Sequence, residues 1–222
     1  MMQRIFLLLV GSALLAACQT KTKQAATNGT TQIRLENSIT NSPTTSVADQ
    51  SLETVAAIQD AYVKTMERLQ KGALDSTFFE YDCQGERNGR VVYYSEKGKL
   101  LLIKHSYGEY SHHEVDETYF VRDQKPFFHF RKATSWSFDS GSAAEGATRD
   151  EVQEQRIYLK DEKPFRCLQK SYVMRNKAND NPIPAELPNK DVDCVSAASA
   201  LTSFALLAKY EQQPTTGCIE EQ

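Results

Sequence analysis

The sequence has no apolar run that approaches the roughly 20 residues needed to cross a bilayer, and it has no excess of basic residues. Its 26 Lys and Arg are outnumbered by 29 Asp and Glu, which leaves a net charge of -3. Because nucleic-acid binding needs a clustered basic face that neutralises phosphates, we expect no nucleic-acid partner. The rest of the composition, 40% hydrophobic and 25% charged, is typical of a globular protein.

Motifs of the common enzyme classes are missing as well. The sequence contains no G-x-S-x-G or S-x-x-K pattern, no P-loop and no dinucleotide-binding glycine pattern. We therefore predict a protein that is not an enzyme and has no cofactor. The sequence assigns it no specific activity.

The first residues have the layout of a secretory signal peptide. Arg4 precedes an apolar run over residues 5–15, and small residues follow. The sequence LAAC at 15–18 resembles the bacterial lipobox. The resemblance implies cleavage before Cys18, a diacylglycerol on the Cys18 thiol and a further acyl chain, such as palmitate, on the new amino terminus. The alternative is an ordinary signal peptide that is cut nearby, with Cys18 incidental.

Gln19 stands where an Asp retains lipoproteins in the inner membrane of enteric bacteria. The resemblance therefore implies a lipid-anchored protein of the cell envelope, with the outer membrane favoured over the inner one. Each buried CH₂ of an acyl chain contributes about 0.8 kcal/mol, and stable anchoring needs more than one chain. The membrane is thus an expected partner, together with an envelope protein or a small ligand.

Residues 18–50 form the expected tether. Among residues 19–50, 18 are Ser, Thr, Asn or Gln and none is aromatic, so the segment cannot bury enough apolar surface to offset the entropy of ordering it. The alternation of Ile33 and Leu35 leaves open that a part of it pairs as an edge strand. The predicted organisation is a signal peptide at 1–17, the lipidated cysteine and tether at 18–50, and a single α+β domain at 51–222.

Two helices are predicted at the ends of this domain. Apolar residues recur at spacings of three and four over 51–71, where Asp49 or Ser51 can cap the helix and Gly72 can end it. A second helix is predicted over 192–212, capped by Asp191 and apolar nearly all round. We expect it to be buried across one face of a sheet, with the first helix beside it or at the sheet edge.

Between the helices the apolar period changes to two. Strands are predicted at 77–83, 90–96, 99–105, 114–122, 126–132, 152–160 and 164–172. Short gaps between them predict hairpins, so the expected fold class is α+β, an antiparallel meander of about seven strands packed with an N-terminal and a C-terminal helix. Residues 134–150, which include the only Trp, Trp136, are predicted as a long loop, and residues 176–189 as a connector.

An internal repeat runs through the hairpins. Residues 119–127 match residues 157–165, 38 positions later, and residues 93–100 are a looser third copy. With the preceding helix, the series resembles a group of uncharacterised bacterial exported proteins and lipoproteins. That group shares a strand like FFHFR at 127–131 and an element E-x-R-x-Y-F, here EQRIYL. The resemblance covers about residues 55–168 and implies no activity, because the group has none assigned.

Cys83, Cys167, Cys194 and Cys218 remain after lipidation, and an even number in an exported chain predicts two disulfides. From Cys194 to the end of the predicted helix is about 27 Å, whereas the six following residues reach back at most about 20 Å. Pairing Cys194 with Cys218 therefore barely closes. We prefer Cys167–Cys194 with Cys83–Cys218, and Cys83–Cys194 with Cys167–Cys218 is the rival.

The densest polar cluster comprises His112, His113, Glu114, Asp116 and Glu117. On a strand, His112, Glu114 and Asp116 share a face, so two or three of them could bind a metal, and His105 on the preceding strand could join them. The alternative is a solvated sheet face near a turn. We favour the solvated face and predict no resident metal.

The leading functional hypothesis is a binding or interaction module on a lipid anchor, with Trp136 and the apolar strand at 127–130 as candidate ligand contacts. A second hypothesis is an inhibitor of a hydrolase such as lysozyme. The sequence SGSAA at 140–144 resembles the inhibitory loop of small β lipoproteins of that kind, and an acidic protein is steered toward a basic enzyme. A third is a metal-dependent hydrolase at His105, His112, His113 and Glu114.

Overall fold

A computed structural model describes residues 51–141 and 144–219 of the chain. The helices are α1, Val55–Gln70, and α2, Ala197–Tyr210; the strands are β1, Asp75–Cys83, β2, Arg87–Glu96, β3, Lys99–Glu109, β4, His113–Arg122, β5, Lys125–Phe138, β6, Thr148–Lys160, β7, Lys163–Arg175, and β8, Lys190–Val192. Each strand pairs antiparallel with the next, so the order across the sheet is β1 to β8. This is the predicted α+β meander, with eight strands where we expected about seven.

The sheet extends into segments that we predicted as irregular. β5 continues to Phe138 and β6 begins at Thr148, so the predicted loop at 134–150 is wrong at both ends, over 134–138 and 148–150, and Trp136 lies in a strand. Pairing between the two strands satisfies the backbone hydrogen bonds of this Ser-rich segment. This gain outweighs the weak alternation of apolar residues in the segment. β8 follows the connector at 176–189, and its three residues are too few to show an alternation.

The three copies of the repeat share one irregularity at equivalent positions. The register shifts between Tyr94 and Ser95, between Phe120 and Val121, and between Tyr158 and Leu159. Each copy then closes in a two-residue turn with positive φ at both positions, namely Lys97 and Gly98, Asp123 and Gln124, and Asp161 and Glu162. Such turns match the right-handed twist of the strands, and the bulges increase that twist. The looser third copy is therefore a structural repeat.

The two helices cover opposite faces of the sheet. On one face, α2 packs against residues that include Tyr93, Ile103, Tyr119 and Ile157. On the other face, α1 packs against residues that include Leu102, Phe120, Phe128 and Tyr158. The expectation that the first helix lies beside the second or at the sheet edge is wrong. Neighbouring residues such as Tyr119 and Phe120 are both apolar and point to opposite faces, so each face needs a cover.

α1 lies over one end of the sheet, which carries the β2–β3, β4–β5 and β6–β7 turns. Arg68 near the end of α1 pairs with Glu96 at 3.3 Å, and Glu53 before α1 pairs with Lys160 at 3.1 Å. We call this the covered end. The opposite end, which we call the open end, carries the β1–β2 and β3–β4 turns, the end of β5 and the beginning of β6.

The helix limits differ from the prediction. α1 begins at Val55 with Thr54 as its cap, because the Thr54 hydroxyl accepts a hydrogen bond from the Ala57 N–H at 3.2 Å. Gly72 follows α1 with φ of 64°, as expected for a residue that ends a helix. α2 begins at Ala197, because residues 190–192 pair with β7 instead. Its Thr202, Ala205 and Lys209 are exposed, so the expectation of a helix buried nearly all round is wrong.

Two disulfides fix the ends of α2. Cys167 in β7 joins Cys194 before the helix with a Cα–Cα distance of 5.3 Å. Cys83 at the end of β1 joins Cys218 after the helix with a Cα–Cα distance of 4.4 Å. The preferred pairing is confirmed. Each end of a helix that crosses the sheet is thus bonded to the strand beneath it.

No helix in residues 51–141 and 144–219 is long and apolar enough to span a membrane. The predicted signal peptide, Cys18 and the tether lie outside the described residues.

Candidate functional site

The residues predicted to cluster around a metal lie on two faces of the sheet. Glu114 and Asp116 share the face of Phe120, which α1 covers. His105 lies opposite Glu117 in the β3–β4 register, on the face that α2 covers. The expectation that His105 joins Glu114 is therefore wrong, because a shift of one position along a strand moves a side chain to the other face.

The two neighbouring histidines also have separate surroundings. His112 lies in the turn before β4, so it does not share a strand face with Glu114, and its ring stands 4.5 Å from that of Trp136. His113 begins β4, and its Nδ1 is 2.8 Å from the hydroxyl of Ser135. Within the described part of the chain, no three His, Cys, Asp or Glu side chains group closely enough to hold a metal ion.

Aromatic side chains are exposed at the open end of the sheet. Tyr110 in the β3–β4 turn is 77% exposed, and Phe138 at the end of β5 is 72% exposed. Trp136 packs 5.8 Å from the Phe138 ring, and its indole N–H donates to the Ser111 carbonyl at 2.7 Å. We call Tyr110, His112, Trp136 and Phe138 the aromatic tip. Exposed aromatic groups concentrated in one place are typical of interaction surfaces.

The segment 139–147 beside the aromatic tip is held at both ends. At one end, the Asp139 carboxylate lies 3.2 Å from the Arg175 guanidinium. At the other end, the Asn176 side chain accepts a hydrogen bond from the Thr148 N–H at 3.0 Å. The ends of this loop therefore have a fixed geometry before any partner binds.

A chain of polar groups is buried on the α2 face. Tyr81 Oη lies 2.8 Å from His105 Nε2, and His105 Nδ1 lies 3.6 Å from the Glu117 carboxylate. Tyr119 donates to the same carboxylate at 3.1 Å, and Arg131 Nε approaches it to 3.4 Å. A buried carboxylate is tolerated when it is paired in this way. We call these five residues the buried network.

Burial and charge set the protonation of the buried network. Burial acts to raise the pKa of Glu117, but His105, His129 and Arg131 together outweigh it and hold that pKa below its usual range. Burial and the negative charge of Glu117 raise the pKa of Tyr119, and burial raises the pKa of Tyr81 to about 12. At neutral pH Glu117 is thus an ionised carboxylate that accepts a hydrogen bond from Tyr119 and lies beside the Arg131 guanidinium.

His129 is the one histidine whose ring nitrogens are both buried without a hydrogen-bond partner, as far as the structure describes the chain. Its ring is 2% exposed and stacks on Tyr119 with 4.3 Å between the ring centroids. Burial lowers the pKa of His129 to about 4, although the Glu117 charge opposes this shift. The imidazole is therefore neutral at physiological pH, and its unmet hydrogen bonds cost stability.

A second paired carboxylate fastens the connector at 176–189 to the α1 face. Glu154 contacts Arg156 at 2.7 Å, Lys170 at 3.1 Å and Tyr172 at 3.0 Å. Lys170 also donates to the Pro184 carbonyl at 2.7 Å. This cluster holds the connector in place.

The sequence interpretation missed Tyr81, His129 and Arg131 as members of a polar cluster. His129 and Arg131 lie within a predicted strand and alternate with the residues that face α1. The sequence did contain a signal for this cluster. His129 and Arg131 alternate with apolar residues of the same strand, and a polar side chain on a covered face has to find polar partners. Nothing in the sequence alone showed that a helix covers it.

The chain matches no family model, no curated protein and no solved structure. The resemblance to exported lipoproteins therefore remains an expectation, and the function has to be argued from the geometry.

Proposed function

We propose that this protein is a lipid-anchored module of the bacterial cell envelope that binds a protein partner through the aromatic tip. The observation that carries the proposal is the exposure, at the open end of the sheet, of Tyr110, at 77%, and of Phe138, at 72%, whose ring packs against Trp136. Aromatic residues dominate the binding energy of many interfaces, because they bury a large area at a small cost in conformational entropy.

The charge around the aromatic tip indicates the chemistry of the partner. Residues 109–114 and 138–151 together carry six carboxylates and Arg149, and Arg87 and Arg175 pair with Glu109 and Asp139, so six acids against three arginines leave a net charge of -3. An acidic rim attracts a basic protein surface and repels an anionic lipid surface. The proposed partner therefore presents an apolar patch within a basic surface.

The location of the aromatic tip suits a protein anchored at its N-terminus. The described chain starts at Ser51 beside Lys160, at the covered end of the sheet. β5 leads from this end to Phe138 over 14 residues, a distance of about 40 Å at 3.3 Å per residue. The aromatic tip thus lies at the end of the sheet opposite to the first described residue, Ser51.

Site-specific photo-crosslinking in the source bacterium tests the binding role. A benzoylphenylalanine replaces Phe138 in the full-length protein, and the matched control replaces Ile183, which is 58% exposed on the connector. We expect a discrete protein adduct from position 138 that Tyr110→Asn weakens. Equal adducts from the two positions, or none from position 138, would contradict the proposal.

The lipid anchor needs its own test. Cys18→Ala should move the protein from the membrane fraction to the soluble fraction, because it removes the thiol that carries the diacylglycerol. Mass spectrometry of the native protein should show an acylated N-terminus at Cys18. An intact N-terminus that still bears residues 1–17 would remove the anchoring part of the proposal.

The held segment 139–147 favours one more specific role, that of a hydrolase inhibitor. Protein inhibitors present loops that change little on binding, and the ends of this segment are fixed by Arg175 and Asn176. Residues 142 and 143 lie outside the described range. Titration of lysozyme with the purified protein distinguishes this role: activity that never falls eliminates it, whereas inhibition that is lost on Phe138→Ser supports it.

A further inference from the structure

The first strand forms an open edge of the sheet. Within residues 51–141 and 144–219, β1 pairs with β2 and no strand pairs with its other side. In the described residues, the one backbone hydrogen bond from β1 outside the sheet joins the Glu86 N–H to the Cys83 carbonyl. The four residues from Asp75 to Phe78 are all exposed, and Phe78 is 56% exposed. Such an edge presents unpaired N–H and C=O groups to an added strand.

The charge of this edge selects among the strands that could pair with it. Residues 73–86 contain the acids Asp75, Glu80, Asp82 and Glu86 and no Lys or Arg. Two copies of β1 would bring carboxylates of like charge together, which opposes a dimer through this edge. The same carboxylates would attract an incoming strand that carries basic residues.

The contacts of Arg90 show that side chains of β1 can bind a cationic group. Its guanidinium lies 4.0 Å from the centroid of the Phe78 ring and 3.6 Å from the Glu80 carboxylate. Arg90 reaches these two side chains from β2, on the inner side of β1. Because side chains directly across a strand pair are close neighbours, a basic residue on an added strand can approach Phe78 and Glu80 from the outer side.

The acidic surface continues inward from the edge. A depression of about 490 Å³ runs across β2 and β3 from Glu80 to Glu114 and Asp116 on β4. The Ser106 hydroxyl donates to Asp116 at 2.6 Å, which fixes one carboxylate. Arg90 also lines this depression, so a long basic side chain that enters at Glu80 passes Arg90 before it meets the carboxylates of Glu114 and Asp116.

From the edge, its charge and the Arg90 contact, we propose that β1 accepts an extended basic segment of a partner protein by strand addition. Backbone hydrogen bonds to β1 provide affinity, and alternate Arg or Lys side chains contact Phe78 and Glu80. This surface is distinct from the aromatic tip and does not depend on it.

The probe is a synthetic heptapeptide of alternating Arg and Val, titrated into the native lipidated protein in detergent and followed by calorimetry. We expect binding at peptide concentrations up to about 1 mM, with slower amide exchange in residues 75–80. Glu80→Lys should weaken binding at least about tenfold through charge repulsion. The matched control, Asp60→Lys on the exposed side of α1, changes the net charge equally and should have little effect.

A peptide of the same sequence with alternate backbone N-methyl groups separates strand addition from charge attraction, because it keeps the charge and cannot pair. Loss of binding by the methylated peptide supports the proposal. Equal binding of the two peptides, protection outside β1, no binding at all, or a stable dimer of the protein through β1 would each overturn it. A Phe138→Ser variant should bind the peptide normally, so failure of the aromatic tip is distinguishable from failure of this edge.

Discussion

The phenolic oxygen of Tyr81 lies 2.7 Å from the point where a Cβ on Gly89 would stand. The two residues are directly opposite in the β1–β2 register. The Tyr81 side chain passes over Gly89 and reaches His105 at 2.8 Å. The buried network therefore requires that position 89 has no side chain.

We expect Gly89→Ala to destabilise the protein by about 1–3 kcal/mol, the usual cost of overpacking a core. Besides Tyr81, the new methyl group would meet the Ser106 carbonyl and the Tyr107 Cβ, both at 2.8 Å. Gly108→Ala is the control, because its nearest neighbour would be 3.8 Å away. Urea unfolding measures both, and equal stability of the two variants would contradict this account.

The stability of the protein should fall in mild acid because of His129. Its pKa is about 4 in the folded protein and near the ordinary 6.5 when unfolded, so the unfolded chain binds more protons between these values. Stability is therefore complete above about pH 6.5 and declines toward pH 4, by about 3 kcal/mol in total. Burial acts to raise the pKa of Glu117, but His105, His129 and Arg131 lower it below its usual range, so Glu117 adds a further loss as its carboxylate is protonated.

His129→Phe tests the origin of this acid sensitivity. Phenylalanine keeps the stack on Tyr119 and needs no hydrogen bond, so it should stabilise the protein at pH 7 and flatten stability between pH 6.5 and pH 4. His112→Phe, at an exposed position, should retain the wild-type slope. Denaturant unfolding across this pH range provides the measurement, and an unchanged slope in His129→Phe would rule out this histidine as the cause.

Removal of either disulfide should destabilise the protein, and the loss should be larger for the longer loop. The Cys83–Cys218 bond closes a loop of 135 residues and Cys167–Cys194 one of 27. Loop entropy alone gives about 5 and about 3.5 kcal/mol, respectively. Replacing both members of each pair by Ser avoids a free thiol. If unfolding in urea shows the shorter loop to matter more, native contacts around α2 dominate over the entropy of the unfolded chain.

The repeated turns offer a stabilising change. Gln124 has φ of 63° in the same turn position as Gly98 in the looser copy of the repeat. A residue with a side chain is strained there by about 1–2 kcal/mol, and glycine relieves this strain. The greater conformational freedom of glycine in the unfolded chain offsets part of the gain in stability. Gln124→Gly should therefore raise the free energy of unfolding by about 0.5–1 kcal/mol, and Gly98→Gln should lower it. Changes of the same sign in the two variants would be inconsistent with the turn geometry.

The sequence by itself determined the meander, the hairpin turns and the number of disulfides. These features depend on residues near one another in the chain, namely the alternation of apolar side chains, the residues at each turn and the parity of the cysteines. The preferred cysteine pairing could also be predicted from the sequence, because the length of a helix limits which cysteines near its two ends can be bonded to each other.

Only the tertiary structure decided which face each helix covers, and with it the surroundings of His105, Glu117 and His129. The reason is physical: neighbouring residues of a strand point to opposite faces, so strand register and helix placement together determine which polar groups meet. A strand that is apolar on both faces, such as β5, does not reveal which helix packs on which side. The location of the aromatic tip likewise depends on where the strands end and not on any local pattern.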